Sequence, residues 1–169
     1  MNVYLTALAL LVALLLQTSL LVSWGAPGWH LDVVLLLIVG IGVVGGATRA
    51  VVWSLVAGLL LDVTSVAPLG TNLLALLPVA LLTTVRDTNL VEGKLTLALA
   101  LAFGGTLLYT CMFLLVLQAT GRRVDWLGSL WWVALPSAVL NTVVMPLVYW
   151  VARGLALPHL VRKGTFIRP

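Results

Sequence analysis

The chain reads AVVWSLVAGLLLD at residues 50–62 and PLGTN at residues 68–72, and these two segments decide its fold. The first segment has no charged residue before Asp62, and as an α-helix it extends about 18 Å at 1.5 Å per residue. Since a bilayer has a hydrocarbon core of about 30 Å, Asp62 is predicted about two-thirds of the way across it. The segment therefore predicts a membrane-spanning helix that ends before a turn containing Pro68 and Gly70.

The composition of the whole chain agrees with this location. Of its 169 residues, 62% are hydrophobic and 8% are charged, and the mean hydropathy is +1.19. A soluble domain is about a quarter charged, so this chain has too few charged side chains to cover a surface that faces water. The formal charge of +4 comes from scattered basic residues rather than from a basic face, so no nucleic acid is predicted as a partner. An integral membrane protein is predicted.

Glycine, proline and charged residues divide the apolar sequence into spans. We predict an all-α bundle of six transmembrane helices at approximately residues 3–23, 31–47, 50–66, 71–85, 95–119 and 128–152. They form one domain over residues 1–169, with a short tail at residues 153–169. The first apolar run is longer than a signal-peptide core of about 7–15 residues, which favours a retained helix. Spans three and four are short, so they are either tilted helices or a re-entrant pair.

Lysine and arginine counts in the short loops predict the orientation, because positively charged loops stay in the cytoplasm. With six spans, two basic residues, Arg122 and Arg123, fall on one side and seven on the other. The seven are Arg49, Arg86, Lys94, Arg153, Arg162, Lys163 and Arg168. Both termini are therefore predicted in the cytoplasm. A five-span alternative would leave the basic tail outside, against this bias.

One face of span three is a stripe of small and polar residues spaced by four, which lets a second helix approach closely. Its members are Ala50, Ser54, Gly58 and Asp62. Asp62 has two interpretations, because a carboxylate at this depth costs several kcal/mol unless it is paired, protonated or hydrated. It is either a proton or substrate site, or a carboxylate that bonds the Asn72 amide or the backbone of the Pro68–Gly70 turn. The second interpretation is favoured.

Further glycines and prolines predict close helix packing. Span two carries Gly40, Gly42, Gly45 and Gly46, and span five carries Gly104 and Gly105. Span six carries Pro136, Ser137, Asn141 and Pro146, a pattern that predicts a kinked packing helix whose prolines release backbone carbonyls. Ser137 and Asn141 share a face and are expected to help satisfy those carbonyls. The alternative is a polar cavity lined by Asn141 and Asp62.

Catalytic and cofactor motifs are not found in the sequence. His30 and His159 are far apart and have no neighbouring Cys or carboxylate at ligand spacing, so no metal is predicted. There is no Ser/His/Asp set, phosphate-binding loop or dinucleotide fingerprint. We therefore expect no enzyme activity and no cofactor.

Three segments carry a resemblance to a known family: AGLLLD at residues 57–62, PLGTN at residues 68–72 and LPSAVLNTVVMP at residues 135–146. In order and spacing they resemble the rod shape-determining protein MreD. The resemblance implies a non-catalytic, multi-pass scaffold of the bacterial inner membrane that helps to maintain rod shape by organising lateral peptidoglycan synthesis. It also implies partners: the transmembrane helix of MreC, the filament protein MreB and, through them, a RodA-type glycosyltransferase and a penicillin-binding transpeptidase.

The MreD family is similar in fold to the substrate-binding subunits of energy-coupling-factor vitamin transporters, and such a subunit is the alternative function. For the scaffold, we expect the MreC helix to bind an exposed small-residue face, either the stripe of span three or the face around Gly104 and Gly105. The basic tail at residues 161–168 is expected to meet MreB or anionic lipid, or simply to anchor the chain. The transporter subunit requires instead a hydrated cavity in which polar groups converge on a ligand.

Overall fold

A computed structural model describes residues 3–20, 29–84 and 94–163, with side chains in the last helix as far as Leu155. Within these ranges every regular element is helical, as predicted. α1 spans Val3–Leu15 and continues as a π-helical turn, Leu16–Leu20; α2 spans Val33–Gly45, α3 Ala47–Thr64, α4 Thr71–Leu82 and α5 Lys94–Ala119. α6 begins as Trp126–Gly128, passes through a π-helical segment, Ser129–Ala134, and continues as Leu135–Lys163.

The prediction of six helical segments is confirmed for the described residues, but their lengths differ. Three helices are long and apolar enough to cross a membrane: Ala47–Thr64, Lys94–Ala119 and Trp126–Leu155. Three apolar helices are shorter: Val3–Ser19, Val33–Gly45 and Thr71–Leu82. α3 thus begins three residues before predicted span three and is long enough to cross a membrane. α4, which corresponds to predicted span four, is short, as expected. Several predicted positions lie outside the described residues. They are the ends of spans one and four, at residues 23 and 85, together with Arg86 and residues 164–169 of the tail.

α2 forms the centre of the bundle. Every residue from Val34 to Val43 is buried, and the helix contacts α1, α3, α4, α5 and α6. A helix that is hydrophobic on all sides is typical of such a position, because no face of it needs to meet polar solvent. Exposed leucines lie instead on the surrounding helices, including Leu8, Leu59 and Leu147. The surrounding helices therefore present apolar side chains outward, as a surface in contact with lipid requires.

Glycines let the other helices approach α2 closely. A Cβ atom added at Gly40 would lie 2.9 Å from the Cβ of Ala152 in α6, and one at Gly42 would lie 2.5 Å from the side chain of Thr83. The packing role predicted for these two glycines is confirmed. Gly46 has a φ of 98°, a left-handed value that favours glycine. It allows α3 to begin one residue after α2 ends.

The small-residue stripe of α3 packs inside the chain. All four of its residues, Ala50, Ser54, Gly58 and Asp62, are buried, and a Cβ atom at Gly58 would lie 2.5 Å from the Cα of Leu73 in α4. The Ser54 hydroxyl donates to the carbonyl of Val51 in its own helix, at 2.8 Å. The prediction of close helix packing is therefore confirmed, but the expectation that this face is exposed to receive a partner helix is wrong, because α4 already occupies it at Gly58.

The two glycines of α5 differ. Gly105 is buried, and a Cβ atom there would lie 3.0 Å from Cγ1 of Val79 in α4. Gly104 lies on the exposed side, where an added Cβ would meet nothing within 4 Å. Of this pair, Gly105 packs inside the bundle and Gly104 remains open to a partner.

We predict that Gly58→Ala destabilises the protein and that Gly104→Ala does not. The added methyl group at residue 58 meets backbone atoms of α4 and forces α3 and α4 apart, which costs about 1–3 kcal/mol. At residue 104 the methyl group enters open space, and alanine is the better helix former by about 1 kcal/mol. The measurement is SDS-induced unfolding of both variants in mixed micelles. Equal stability of the two variants would contradict the close α3–α4 contact.

Candidate functional site

The carboxylate of Asp62 accepts hydrogen bonds from the start of α4. Oδ1 accepts from the backbone N–H of Asn72 at 2.8 Å and from its side-chain Nδ2 at 3.0 Å. Oδ2 accepts from the backbone N–H of Gly70 at 2.9 Å and of Leu73 at 3.3 Å. The first N–H groups of a helix have no partners within it, and a negative charge there is favourable. The predicted hydrogen bonds of Asp62 to the Asn72 amide and to the backbone of the Pro68–Gly70 turn are confirmed.

The turn between α3 and α4 is shaped to meet this carboxylate. Gly70 has a φ of 93°, in the left-handed region that favours glycine. The carbonyl of Pro68 accepts from the backbone N–H and the hydroxyl of Thr71, at 3.1 Å and 2.7 Å. Gly70 and Thr71 therefore direct the N–H groups of α4 back toward the end of α3.

Tyr109 extends this group of contacts to α5. Its hydroxyl donates to Oδ1 of Asn72 at 2.6 Å, so the Asn72 amide donates to Asp62 and accepts from Tyr109. Asp62, Gly70, Asn72, Leu73 and Tyr109 are called the Asp62 cluster below. The cluster joins three helices, and both carboxylate oxygens of Asp62 accept hydrogen bonds within it.

A second set of polar contacts joins α6 to α2 and α5. Asn141 is fully buried; its Nδ2 donates to Oγ1 of Thr106 at 3.0 Å, and its Oδ1 accepts from the backbone N–H of Asp32 at 3.0 Å. The Ser137 hydroxyl accepts from the backbone N–H of His30 at 2.9 Å. Asn141 and Ser137 therefore bind neighbouring segments, and the expectation that they satisfy carbonyls released by the prolines of α6 is not what the structure shows.

Gln17 and Asp32 complete this second set. The Gln17 side chain accepts from the backbone N–H of Val34 at 3.1 Å and donates to Oδ1 of Asp32 at 3.2 Å. Gln17 thereby takes the role of an N-terminal cap for α2, and the Asp32 side chain does not cap its own helix. Gln17, Asp32, Thr106, Ser137 and Asn141 are called the Asn141 cluster below.

The predicted disturbance of α6 lies just before Pro136. The π-helical segment Ser129–Ala134 ends two residues before this proline. Proline has no N–H to donate and its ring crowds the preceding turn, so regular hydrogen bonding is interrupted there. Pro136 and Pro146 themselves both lie within the regular helical range Leu135–Lys163.

A cavity of about 400 Å³ lies between the two clusters. Its wall includes Gln17 and Asp32 from one cluster and Asn72 and Tyr109 from the other. The predicted polar cavity is therefore present, with different residues than expected: Asp62 and Asn141 lie behind the lining, and their partners Asn72 and Asp32 face the space.

Four residues of the site were not predicted from the sequence: Gln17, Asp32, Thr106 and Tyr109. Gln17 and Asp32 are polar residues within otherwise apolar spans, and this is the one signal in the sequence that marks them. Thr106 and Tyr109 lie three residues apart and so share a face of α5, but which polar groups they meet depends on the tertiary packing. A sequence pattern alone does not provide that information.

The chemistry available at the site is hydrogen bonding and charge. Among the described residues, no group of three or more His, Cys, Asp or Glu side chains is arranged to hold a metal ion. Comparisons with protein-family models, with curated proteins and with solved structures give no match.

We predict that Asp62→Asn lowers the free energy of unfolding by about 2–4 kcal/mol, because it removes charge-assisted hydrogen bonds and directs an amide NH₂ at buried N–H donors. Asp125→Asn is the matched control. The exposed Asp125 accepts from the backbone N–H of Gly128 at 3.1 Å, and asparagine caps a helix as well as aspartate does. The same unfolding assay in mixed micelles measures both. An Asp62→Asn protein as stable as Asp125→Asn would show that the carboxylate is dispensable.

Proposed function

We propose that the chain is a non-catalytic scaffold subunit of the bacterial cell-elongation machinery, similar to MreD, in the cytoplasmic membrane. The observation that supports the proposal is the position of the residues that carry the resemblance. Asp62, Gly70 and Asn72 from the first two segments form the Asp62 cluster, and Ser137 and Asn141 from the third belong to the Asn141 cluster. The resemblance thus rests on residues that hold the helices together, as a shared fold requires.

The proposed main partner is the transmembrane helix of an MreC-type protein. The stripe of α3 is filled by the chain itself, so this helix must bind elsewhere. The face of α5 around Gly104 supports such contact, because Gly104 leaves open space beside Phe103, which is 37% exposed. A small residue next to an aromatic one gives a groove and a ridge, and helices in lipid associate through such close packing.

The remaining partners follow from the same proposal. Positively charged residues near the end of α6 include Arg153, whose guanidinium lies 5.8 Å from the ring centroid of Trp150. With both termini in the cytoplasm, this end of the chain would face MreB and anionic lipid. The RodA-type glycosyltransferase and the penicillin-binding transpeptidase would be reached through MreC and MreB.

We predict that the purified chain retains a co-expressed MreC homologue and that Gly104→Leu abolishes this association. Leucine at residue 104 enters open space, so the chain itself stays folded, while the partner helix loses its groove. Gly154→Leu is the matched control, because Gly154 of α6 is equally open. The measurement is the MreC:chain ratio after affinity purification in detergent.

Two outcomes of this experiment contradict different parts of the proposal. If the unsubstituted chain does not retain MreC, the scaffold function is wrong. If Gly104→Leu and Gly154→Leu both retain MreC, the scaffold function stands but the binding face is a different one.

The cavity supports one alternative, the substrate-binding subunit of an energy-coupling-factor transporter. Its volume of about 400 Å³ falls within the range of small-molecule sites, about 300–1,000 Å³. The described lining contains no Lys or Arg that would pair with an anionic vitamin, so the scaffold is preferred. Recovery of a bound vitamin from the purified chain by mass spectrometry, together with failure to retain MreC, would reverse this preference.

A further inference from the structure

The cavity between the two clusters has one carboxyl group among its described lining residues. Among its described lining residues, Asp32 supplies the carboxylate, His30 is the other titratable group besides Tyr109, and there is no Lys or Arg. The side-chain amide of Gln17, which carries no charge, donates a hydrogen bond to the carboxylate of Asp32. The imidazole of His30 interacts electrostatically with this carboxylate. The described lining gives it no Lys or Arg neighbour, so the ionised carboxylate attracts cations and repels anions.

An aromatic pair forms another part of the wall. Tyr109 and Phe113 lie four residues apart on α5, with ring centroids 6.0 Å apart and ring planes inclined by 30°, and both line the cavity. The faces of aromatic rings carry partial negative charge and bind ammonium groups, most strongly where water is excluded. Hydroxyl groups of Thr110, Ser129 and Ser137 provide further polar contacts around the space.

We propose that this cavity binds a small organic cation, an amine or a quaternary ammonium compound, with Asp32 as its counter-ion and Tyr109 and Phe113 as its aromatic wall. The volume suits an organic molecule rather than a bare metal ion, and the lining combines the two groups that recognise such cations. The inference goes beyond the scaffold function and does not depend on it, because binding is a property of this chain alone.

Three probes of matched shape and different charge test the proposal. Choline carries a trimethylammonium group, 3,3-dimethylbutan-1-ol is its neutral isostere, and 3,3-dimethylbutyrate is an anion of similar shape. Isothermal titration calorimetry of the full chain in lipid nanodiscs should show choline binding at least about tenfold more tightly than the neutral isostere. The anion should show no saturable binding. Equal affinity for choline and the alcohol, or no saturable choline binding, would overturn the proposal.

Two substitutions place the binding in this cavity. Asp32→Asn keeps an acceptor for Gln17 but removes the charge, so choline affinity should fall to that of the neutral isostere. Phe113→Leu keeps an apolar side chain but removes the aromatic face, and choline affinity should fall at least about threefold while the alcohol is unaffected. Phe103→Leu is the control, since Phe103 lies on α5 outside the lining.

The phenylalanine variants keep the test decisive if Asp32→Asn is unfolded. If Asp32→Asn does not fold, the comparison of Phe113→Leu with Phe103→Leu decides the question. Unchanged preference for choline in folded Asp32→Asn, or equal loss in both phenylalanine variants, would show that the cation does not bind in this cavity. Failure of choline binding with normal retention of MreC would leave the scaffold function intact.

Discussion

The bond between the Asp62 carboxylate and the start of α4 is the interaction on which the rest of this bundle depends. Four N–H groups converge on two oxygens in a side chain that is 2% exposed. Away from water, both the carboxylate and the N–H groups would be costly without each other. α4 is short and contains Pro78, and its sides pack against α3 at Gly58 and α5 at Gly105. The hydrogen bonds of Asp62 add a fixed position for its N-terminus, and with it for the amide of Asn72.

The consequences extend through Asn72 to the other half of the molecule. Asn72 binds Tyr109, and Thr106, one turn away on α5, binds Asn141. Asn141 in turn binds the start of α2, the buried central helix. A helix that is apolar on every side has no polar contacts of its own to specify its axial position. The polar groups at its N-terminus supply that information, and the space left between them is the cavity.

The sequence predicts the class of this fold well, but it does not predict which helix faces stay exposed or which polar groups line the cavity. Apolar runs divided by glycine, proline and charged residues predict six helices, because a helix in lipid must be apolar and about as long as the hydrocarbon core is thick. The spacing of Ala50, Ser54, Gly58 and Asp62 predicts a packing face, because residues four apart lie on the same side of a helix. It does not predict whether that face meets another chain or α4, because the face has the same composition in both cases. Asp32 and Gln17 were missed because their roles come from tertiary contacts rather than from helical spacing.

The most direct test of the account is hydrogen–deuterium exchange of the full chain in lipid nanodiscs, read at the backbone amides of Gly70 and Asn72. These amides precede or begin a helix and would exchange rapidly if only the turn held them. Bound to a buried carboxylate, they are predicted to exchange as slowly as the amides of α2. Exchange as fast as that of the exposed Arg123 would show that Asp62 does not hold the start of α4, and the account of the bundle would be wrong.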